Sequence, residues 1–397
     1  MPIDSKQDLH IDYLDVTLGP SHPAMHGITQ MKVKLDGETL VHVDVEPGYL
    51  HRGFEKECED HRWNQIVPYT DRLNYVSPII NNVGYVMTVE KLCGLTVPPR
   101  GQYLRVILSE MCRLTDHLTC LAAVVMELGA FSAFLYFMKI RELYYELLEN
   151  VTGARVTYAW TRVGGSRWDL PDDFGRGLKD AIAETRRVMK EIDGLFTKNR
   201  IFMDRVVDVG VISQEDAVSY GITGPFLRST GIAYDVRKAH PYLVYSEFDF
   251  NIPTGTNGDN YDRYLVRMAE MEQSMRILEQ ALVKLPDGPI SVEDPRFTLP
   301  DKQAVYNSIE GTINQFKLVF EDIWVPRGEA YGYVEGANGE LGFYIVSDGG
   351  NKPVKCRVRP PCFPIVAALG KMLEGSMIAD IIPTYGSVNM IGGEMDR

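Results

Sequence analysis

Leu118-Thr119-Cys120-Leu121-Ala122-Ala123-Val124-Val125-Met126-Glu127-Leu128-Gly129-Ala130-Phe131-Ser132-Ala133-Phe134-Leu135-Tyr136-Phe137-Met138 is the stretch on which the fold turns. Only Thr119, Glu127, Gly129 and Ser132 interrupt its apolar run. Its length is that of a membrane span. A carboxylate near the middle, with a helix-weakening glycine beside it, argues against contact with lipid. A helix that is apolar all round is otherwise the centre of a large core. The buried-core reading predicts a helical centre built around this stretch, with Gly129 as a break.

Working outward, Arg105–Leu128 places Leu108, Met111, Cys112, Leu114 and Thr115 at helical spacing, and Pro98-Pro99 precedes it as a breaker. Val76–Leu92 and Phe131–Leu148 read as its helical neighbours. Pro171–Leu195, opening Pro-Asp-Asp, and Asp259–Leu285 read as two further charged, amphipathic helices. Helices of this length with short joints make a bundle. On the N-terminal side, Met31, Val33 and Leu35 alternate with polar residues ahead of Asp36-Gly37 and Leu40–Val45, a hairpin pattern. Glu329–Val346 alternates about Gly336 and Gly339 and reads as another hairpin. Residues 200–257 read as short strands and turns. The prediction is an α+β chain: an N-terminal β region over 1–60, a helical core over 61–285 and a C-terminal α+β region over 286–397, forming one compact unit.

The chain has 397 residues and a net charge of −13. So acidic a chain is a poor ligand for nucleic acid, whose phosphates need clustered lysine and arginine. Its six cysteines form no CxxC pair, which predicts reduced thiols, an intracellular setting and no bound metal. The polar, acidic N-terminus has no signal- or transit-peptide pattern. Gly221-Ile222-Thr223-Gly224 and Gly255-Thr256-Asn257-Gly258 lack the strand–glycine loop–helix context of a nucleotide site. No motif supplies a flavin or a redox metal.

Isolated polar groups remain. Gly19-Pro20-Ser21-His22-Pro23-Ala24-Met25-His26-Gly27 holds two of eight histidines in a loop stiffened by proline and glycine. Imidazole titrates nearest neutrality, so the loop is a candidate for proton transfer; the alternative is packing or loop shaping. Glu127, set in Val-Val-Met-Glu-Leu, has to be protonated or paired with a base, because an unpartnered buried carboxylate costs several kcal/mol. The alternative is a carboxylate that caps a helix joint. Tyr75, in Asp71-Arg72-Leu73-Asn74-Tyr75, is one of 21 tyrosines and carries little weight alone. Arg52, in Leu50-His51-Arg52-Gly53-Phe54, reads equally as a solvated surface charge.

Eight segments change the weights. GPSHPAMHG (19–27), GYLHRGFEK (48–56), YTDRLNY (69–75), MELGA (126–130), NRIFMDRVVDVGV (199–211), TGPFLRSTGIAYDVRK (223–238), YDRYLVRMAEMEQSMRI (261–277) and GEMDR (393–397) resemble, in order, the D-subunit family of NADH-quinone oxidoreductases, the large catalytic-core subunits of respiratory complex I. The resemblance runs from about residue 14 to the last. It implies a relative of the [NiFe]-hydrogenase large subunit whose metal site is lost. The residues agree, since no cysteine lies in Tyr49–Phe54 and none follows Cys362. The vacated site is implied to take a quinone headgroup, with His26 and Tyr75 as ligands and Glu127, where the family has aspartate, paired with the histidine. Loss of the His26 proton would leave Glu127 unpartnered, a trigger for proton pumping. Arg52 and Arg72 are implied to lie beside the terminal [4Fe-4S] cluster of a partner subunit. Thr157 stands where many members have a histidine that touches that cluster. A residue that cannot titrate predicts a lower, weakly pH-dependent potential and favours menaquinone over ubiquinone.

NADH is implied to bind another subunit. The implied partners are the cluster-bearing small subunit, a C-type subunit and the membrane-arm subunits. The implied place is peripheral, on the cytoplasmic side of a bacterial inner membrane. The rivals are a membrane-bound hydrogenase large subunit, which needs four metal-binding cysteines, and a scaffold with an inactive pocket.

Overall fold

The computed structural model describes residues 13–397. Strands β1 (Leu14–Leu18), β2 (Gln30–Asp36) and β3 (Thr39–Glu46) form an antiparallel sheet in that order. Asp36 faces Thr39 across the turn, and Gly37 supplies its positive φ of 61°. Met31, Val33 and Leu35 point inward while Lys32 and Lys34 are exposed, so the alternation in the sequence sets the buried face.

Helices α1 (Phe54–Asp60), α2 (Trp63–Thr70), α3 (Pro78–Cys93), α4 (Pro99–Glu127) and α5 (Phe131–Thr152) follow. Proline opens α3 and α4 at a position where its missing N–H costs nothing. α4 is the axis of the molecule and packs against α3 and α5. Gly129 (φ 87°) breaks the apolar stretch between α4 and α5. The buried-core reading of that stretch needs correction in its second half. Leu118, Leu121 and Val125 are buried, but Phe131 is 59% exposed and Leu135 53%. These two, one turn apart, lie on the outer side of α5, and no described element covers them.

The short antiparallel strands β4 (Thr161–Arg162) and β5 (Gly165–Ser166) precede α6 (Phe174–Ile192). The segment 200–257, predicted as short strands and turns, folds instead into four short helices, α7 (Arg200–Val206), α8 (Gln214–Ser219), α9 (Gly224–Ser229) and α10 (Val236–Ala239). Short apolar runs read equally as helix or strand. Here Asn199, Ser213 and Asp235 decide it, because their side chains accept the first free N–H groups of α7, α8 and α10. α11 (Asn260–Lys284) lies against α4. Its charges are not a solvated face: Arg263, Arg267 and Glu270 are buried.

The C-terminal part contains α12 (Lys302–Asn307), α13 (Ile309–Phe320), the antiparallel sheet β6 (Gly328–Glu335), β7 (Glu340–Ser347), β8 (Lys355–Arg359), then α14 (Cys362–Ala367), α15 (Leu369–Leu373), α16 (Ile381–Val388) and α17 (Gly392–Met395). Two cores result. One surrounds α3, α4 and α11 and includes Phe343 and Ile345 of β7. In the other, Met31, Val33 and Leu40 of the N-terminal sheet pack with Ile365, Leu369 and Tyr385 of the C-terminal helices. The first and last parts of the chain therefore share one apolar interior. Among the described residues no helix is long and apolar enough to cross a membrane.

Candidate functional site

The β1–β2 connection is a built turn. Pro23–Met25 form one turn of 3-10 helix, capped by His22, whose Nδ1 accepts the Ala24 N–H at 3.2 Å. Met25 is fully buried and anchors the loop in the second core. His26 ends the turn in the left-handed region (φ 52°), a conformation histidine tolerates better than most residues. His22 thus shapes the loop, and His26 is presented by it.

His26 Nε2 lies 2.6 Å from Oε1 of Glu127, the last residue of α4, across 101 residues of sequence. Both side chains are only partly accessible, 32% and 12% exposed. Helix α16 completes the site with two residues that sequence reasoning missed. The Tyr385 ring meets the imidazole edge-on at 5.3 Å, and its hydroxyl donates to Thr29 Oγ1 at 2.8 Å. Gly386 lies against Glu127 Oε2, and any Cβ there would collide with that oxygen. Oε2 itself is buried without a hydrogen-bond partner. One tyrosine among 21 and one glycine among 35 gave no signal in the sequence; only the approach of α16 to the end of α4 selects them.

Tyr75 sits in the turn between α2 and α3, 40% exposed. Its hydroxyl bonds to no described residue. Burial, then the neighbouring Cys362 and Asp116 side chains, raise its pKa above the usual phenol value, with Arg52 opposing. The phenol is therefore fully protonated at neutral pH. Burial raises the Tyr385 pKa, the Thr29 hydrogen bond opposes it, and the charges of Glu127, Cys362 and Tyr75 add to the rise.

The Tyr75 turn is held from below. Arg52 donates to the Arg72 carbonyl at 2.7 Å and to the Gly393 carbonyl at 3.3 Å. Gly393 packs against the Arg72 and Leu73 carbonyls with no room for a side chain. Asp396 accepts the Gly48 and Leu50 N–H groups at 2.9 Å, which fastens the segment carrying Arg52. Arg52 and Arg72 line one cavity of about 440 Å³ with Phe54, Glu57, Pro68 and Tyr69. Thr157 does not line it. The link is Asp71, which lies 3.6 Å from the Arg72 guanidinium and accepts the Ala159 N–H at 2.9 Å. Burial pushes the Asp71 carboxyl up to about 6, although the Asn82 and Ala159 hydrogen bonds oppose it. Thr157 takes φ 55°, a strained choice for a β-branched residue.

Segments far apart in sequence thus converge in space. The loop 19–27 meets 126–130, and 48–56 meets 69–75 and 393–397. A family model described as respiratory-chain NADH dehydrogenase, 49 kDa subunit, matches residues 127–397. A NADH-quinone oxidoreductase D subunit of Sorangium cellulosum is 52% identical over 395 residues, covering 99% of this chain and 98% of that protein. The D subunit of Myxococcus xanthus is likewise 52% identical, over 99% of this chain and 95% of its own length. A Bdellovibrio bacteriovorus protein named as a C/D subunit is 46% identical over 98% of this chain but only 70% of itself. On these matches the chain belongs to the family of the 49 kDa subunit of respiratory-chain NADH dehydrogenases and is a subunit of an oxidoreductase.

Proposed function

We propose that this chain is the peripheral-arm subunit of a proton-translocating NADH:quinone oxidoreductase in which a quinone headgroup is reduced between His26 and Tyr75. The observations that support the reading are the short His26–Glu127 contact and, on the turn between α2 and α3, an accessible phenol at Tyr75 that bonds to no described residue. Reduction of a quinone to a quinol takes two electrons and two protons. The electrons come from the partner subunit's [4Fe-4S] cluster, next to Arg52 and Arg72; NADH binds a further subunit. This chain supplies the donors. With Nε2 engaged by Glu127, the imidazolium presents Nδ1–H to one carbonyl oxygen, and Tyr75 presents O–H to the other. Both donors also stabilise negative charge as it develops on oxygen. Once Nδ1 gives up its proton, the Glu127 carboxylate loses its cation while Oε2 is already unpartnered. That imbalance is the trigger for rearrangement toward the membrane arm.

The exposed Phe131 and Leu135 beside Glu127 are the kind of apolar face that adjoining subunits cover. The relative named C/D, longer than this chain, supports a C-type neighbour. The cluster-bearing subunit and the membrane-arm subunits complete the assembly, in which this chain lies peripherally on the cytoplasmic side of the bacterial inner membrane.

The test is His26→Gln in the assembled complex. It keeps a polar side chain but removes the proton. Quinone-linked NADH oxidation should fall about 10²-fold, while reduction of a hydrophilic acceptor upstream of the quinone stays unchanged. Unaltered quinone activity would remove His26 from the site.

Menaquinone is the favoured substrate, because Thr157 stands in place of a histidine that would titrate beside the cluster. The cluster midpoint potential should be low and only weakly dependent on pH between about 7 and 8, above the range in which the Asp71 carboxyl titrates and within that of a histidine. Thr157→His should steepen it, and histidine suits the left-handed backbone there. A steep dependence in the unmodified protein would overturn this reading.

A further inference from the structure

The largest cavity described, about 680 Å³, is lined by none of His26, Tyr75 and Glu127. Its walls come from the start of α2, the β4–β5 segment, the 290–299 loop and α13. Three arginines line it, Arg62, Arg162 and Arg167. None has a carboxylate within salt-bridge distance among the described residues. Arg162 bonds only to the Ala159 and Thr161 carbonyls, at 2.6 and 2.8 Å. Arg62 bonds to the Phe320 carbonyl, and Arg167 stacks on Trp168 at 3.9 Å. Burial and then the neighbouring Arg167 lower the Arg162 pKa, with the more distant Asp71 opposing. The single carboxylate in the wall, Asp322, is already taken by the Asn64 N–H at 2.8 Å, the Asn64 amide at 2.5 Å and the Ile323 N–H at 2.7 Å. Ser166, 6% exposed, lines the cavity with a hydroxyl that has no partner. The cavity therefore offers donors and positive charge, and the one carboxylate in its wall is already engaged.

The rest of its surroundings is apolar. Leu318 and Val319 of α13 form part of the wall. Ile309, Ile313, Phe316 and Phe320, at spacings of four, three and four, make an exposed apolar stripe on the same helix. Unpaired arginines set among large apolar side chains are the composition of a protein-interface core.

We propose that this cavity seats an acidic segment of a partner polypeptide, whose carboxylates pair with Arg62, Arg162 and Arg167 while adjacent apolar side chains cover α13. A lipid headgroup fits less well. Membrane surfaces are met by projecting basic side chains, whereas Arg62 and Arg162 are half-buried and held by backbone carbonyls. A guanidinium fixed in this way suits a carboxylate that is itself fixed, in bidentate geometry.

Arg167→Lys and, separately, Arg62→Lys introduce an amine into the cavity of the assembled complex. Zero-length carbodiimide coupling then joins that amine only to a carboxylate in direct contact. The expected result is a cross-linked peptide pair between the substituted position and an Asp or Glu of another subunit. Arg162→Met should make that subunit dissociate at least about tenfold faster in high salt. Cross-links confined to this chain, or none, would overturn the proposal. So would bound phospholipid in the unmodified complex that disappears with Arg162→Met. The readout is independent of quinone chemistry: complex carrying Tyr75→Phe must give the same cross-link, whatever its activity.

Discussion

Tyr75→Phe in the assembled complex is expected to lower quinone-linked NADH oxidation by about 10²-fold or more, the usual worth of a positioned proton donor. The substitution removes one oxygen and leaves the ring. The hydroxyl bonds to no described residue, so the folded chain loses no internal hydrogen bond and stability should barely change. The raised phenol pKa keeps the proton in place at neutral pH, held for transfer and not lost to solvent. Arg52 keeps the turn where it is, through the Arg72 and Gly393 carbonyls, whether or not the hydroxyl is present. The quinone would then have the imidazolium at one carbonyl and nothing at the other, and both a proton and the stabilisation of developing charge would be missing. Electron flow from NADH to a hydrophilic upstream acceptor should match the unmodified complex. Quinone-linked activity near the unmodified level would sink the headgroup assignment and leave the scaffold reading.

The second large effect concerns stability. Arg228 of α9 is fully buried between Glu270 of α11, at 2.6 Å, and Glu335 of β6, at 2.8 Å. Glu270 also meets His117 of α4 at 3.0 Å. A second group joins Arg237 to Asp235 at 2.6 Å and to Glu110 at 3.1 Å. These pairs bind α4, α9, α10, α11 and β6 into one interior. Arg228→Met leaves two buried carboxylates without their cation, a change that costs about 3–5 kcal/mol. Whole domains are stable by only about 5–15 kcal/mol. The subunit should therefore be scarce in purified complex, and the complex should inactivate at clearly lower temperature. Adding Glu270→Met should recover part of the loss, because one stranded charge goes with it; Glu335 remains. An unchanged inactivation temperature for the single variant would show that the network contributes little.

The network also sets an acid limit. Burial opposes ionisation of Glu110, but Arg113 and Arg237 win and hold its carboxyl near 2. A carboxyl depressed in the folded state adds stability that is fully present above its unfolded value of about 4.3. That stability is lost as pH falls from there toward 2.

His26 and Glu127 could be named from the sequence, for chemical reasons. A histidine in a stiff Pro/Gly loop is a presented imidazole, and a carboxylate in an apolar run must find a partner. That each was the other's partner came only from the resemblance, because 101 residues separate them and nothing local records the approach. Tyr75 stood out only through the resemblance. Tyr385, Gly386 and Asp71 stood out in no way, since their roles consist entirely of what lies opposite them. The buried charges of α11 misled for a related reason. Arg263, Arg267 and Glu270 look like a solvated helix face until α4 and α9 supply the counter-charges and carbonyls that make burial tolerable.

The sequence by itself determined the periodic elements, the helical centre, the two hairpins and the family, because hydrophobic spacing, caps and ordered motifs act over a few residues at a time. Only the tertiary structure decided that the apolar stretch 118–138 is half buried and half open, that α16 closes over the His26–Glu127 pair, and that the C-terminal turn holds Tyr75 in place. Those outcomes depend on which surfaces meet, and a meeting between distant segments is settled by packing the whole chain, not by the residues on either side.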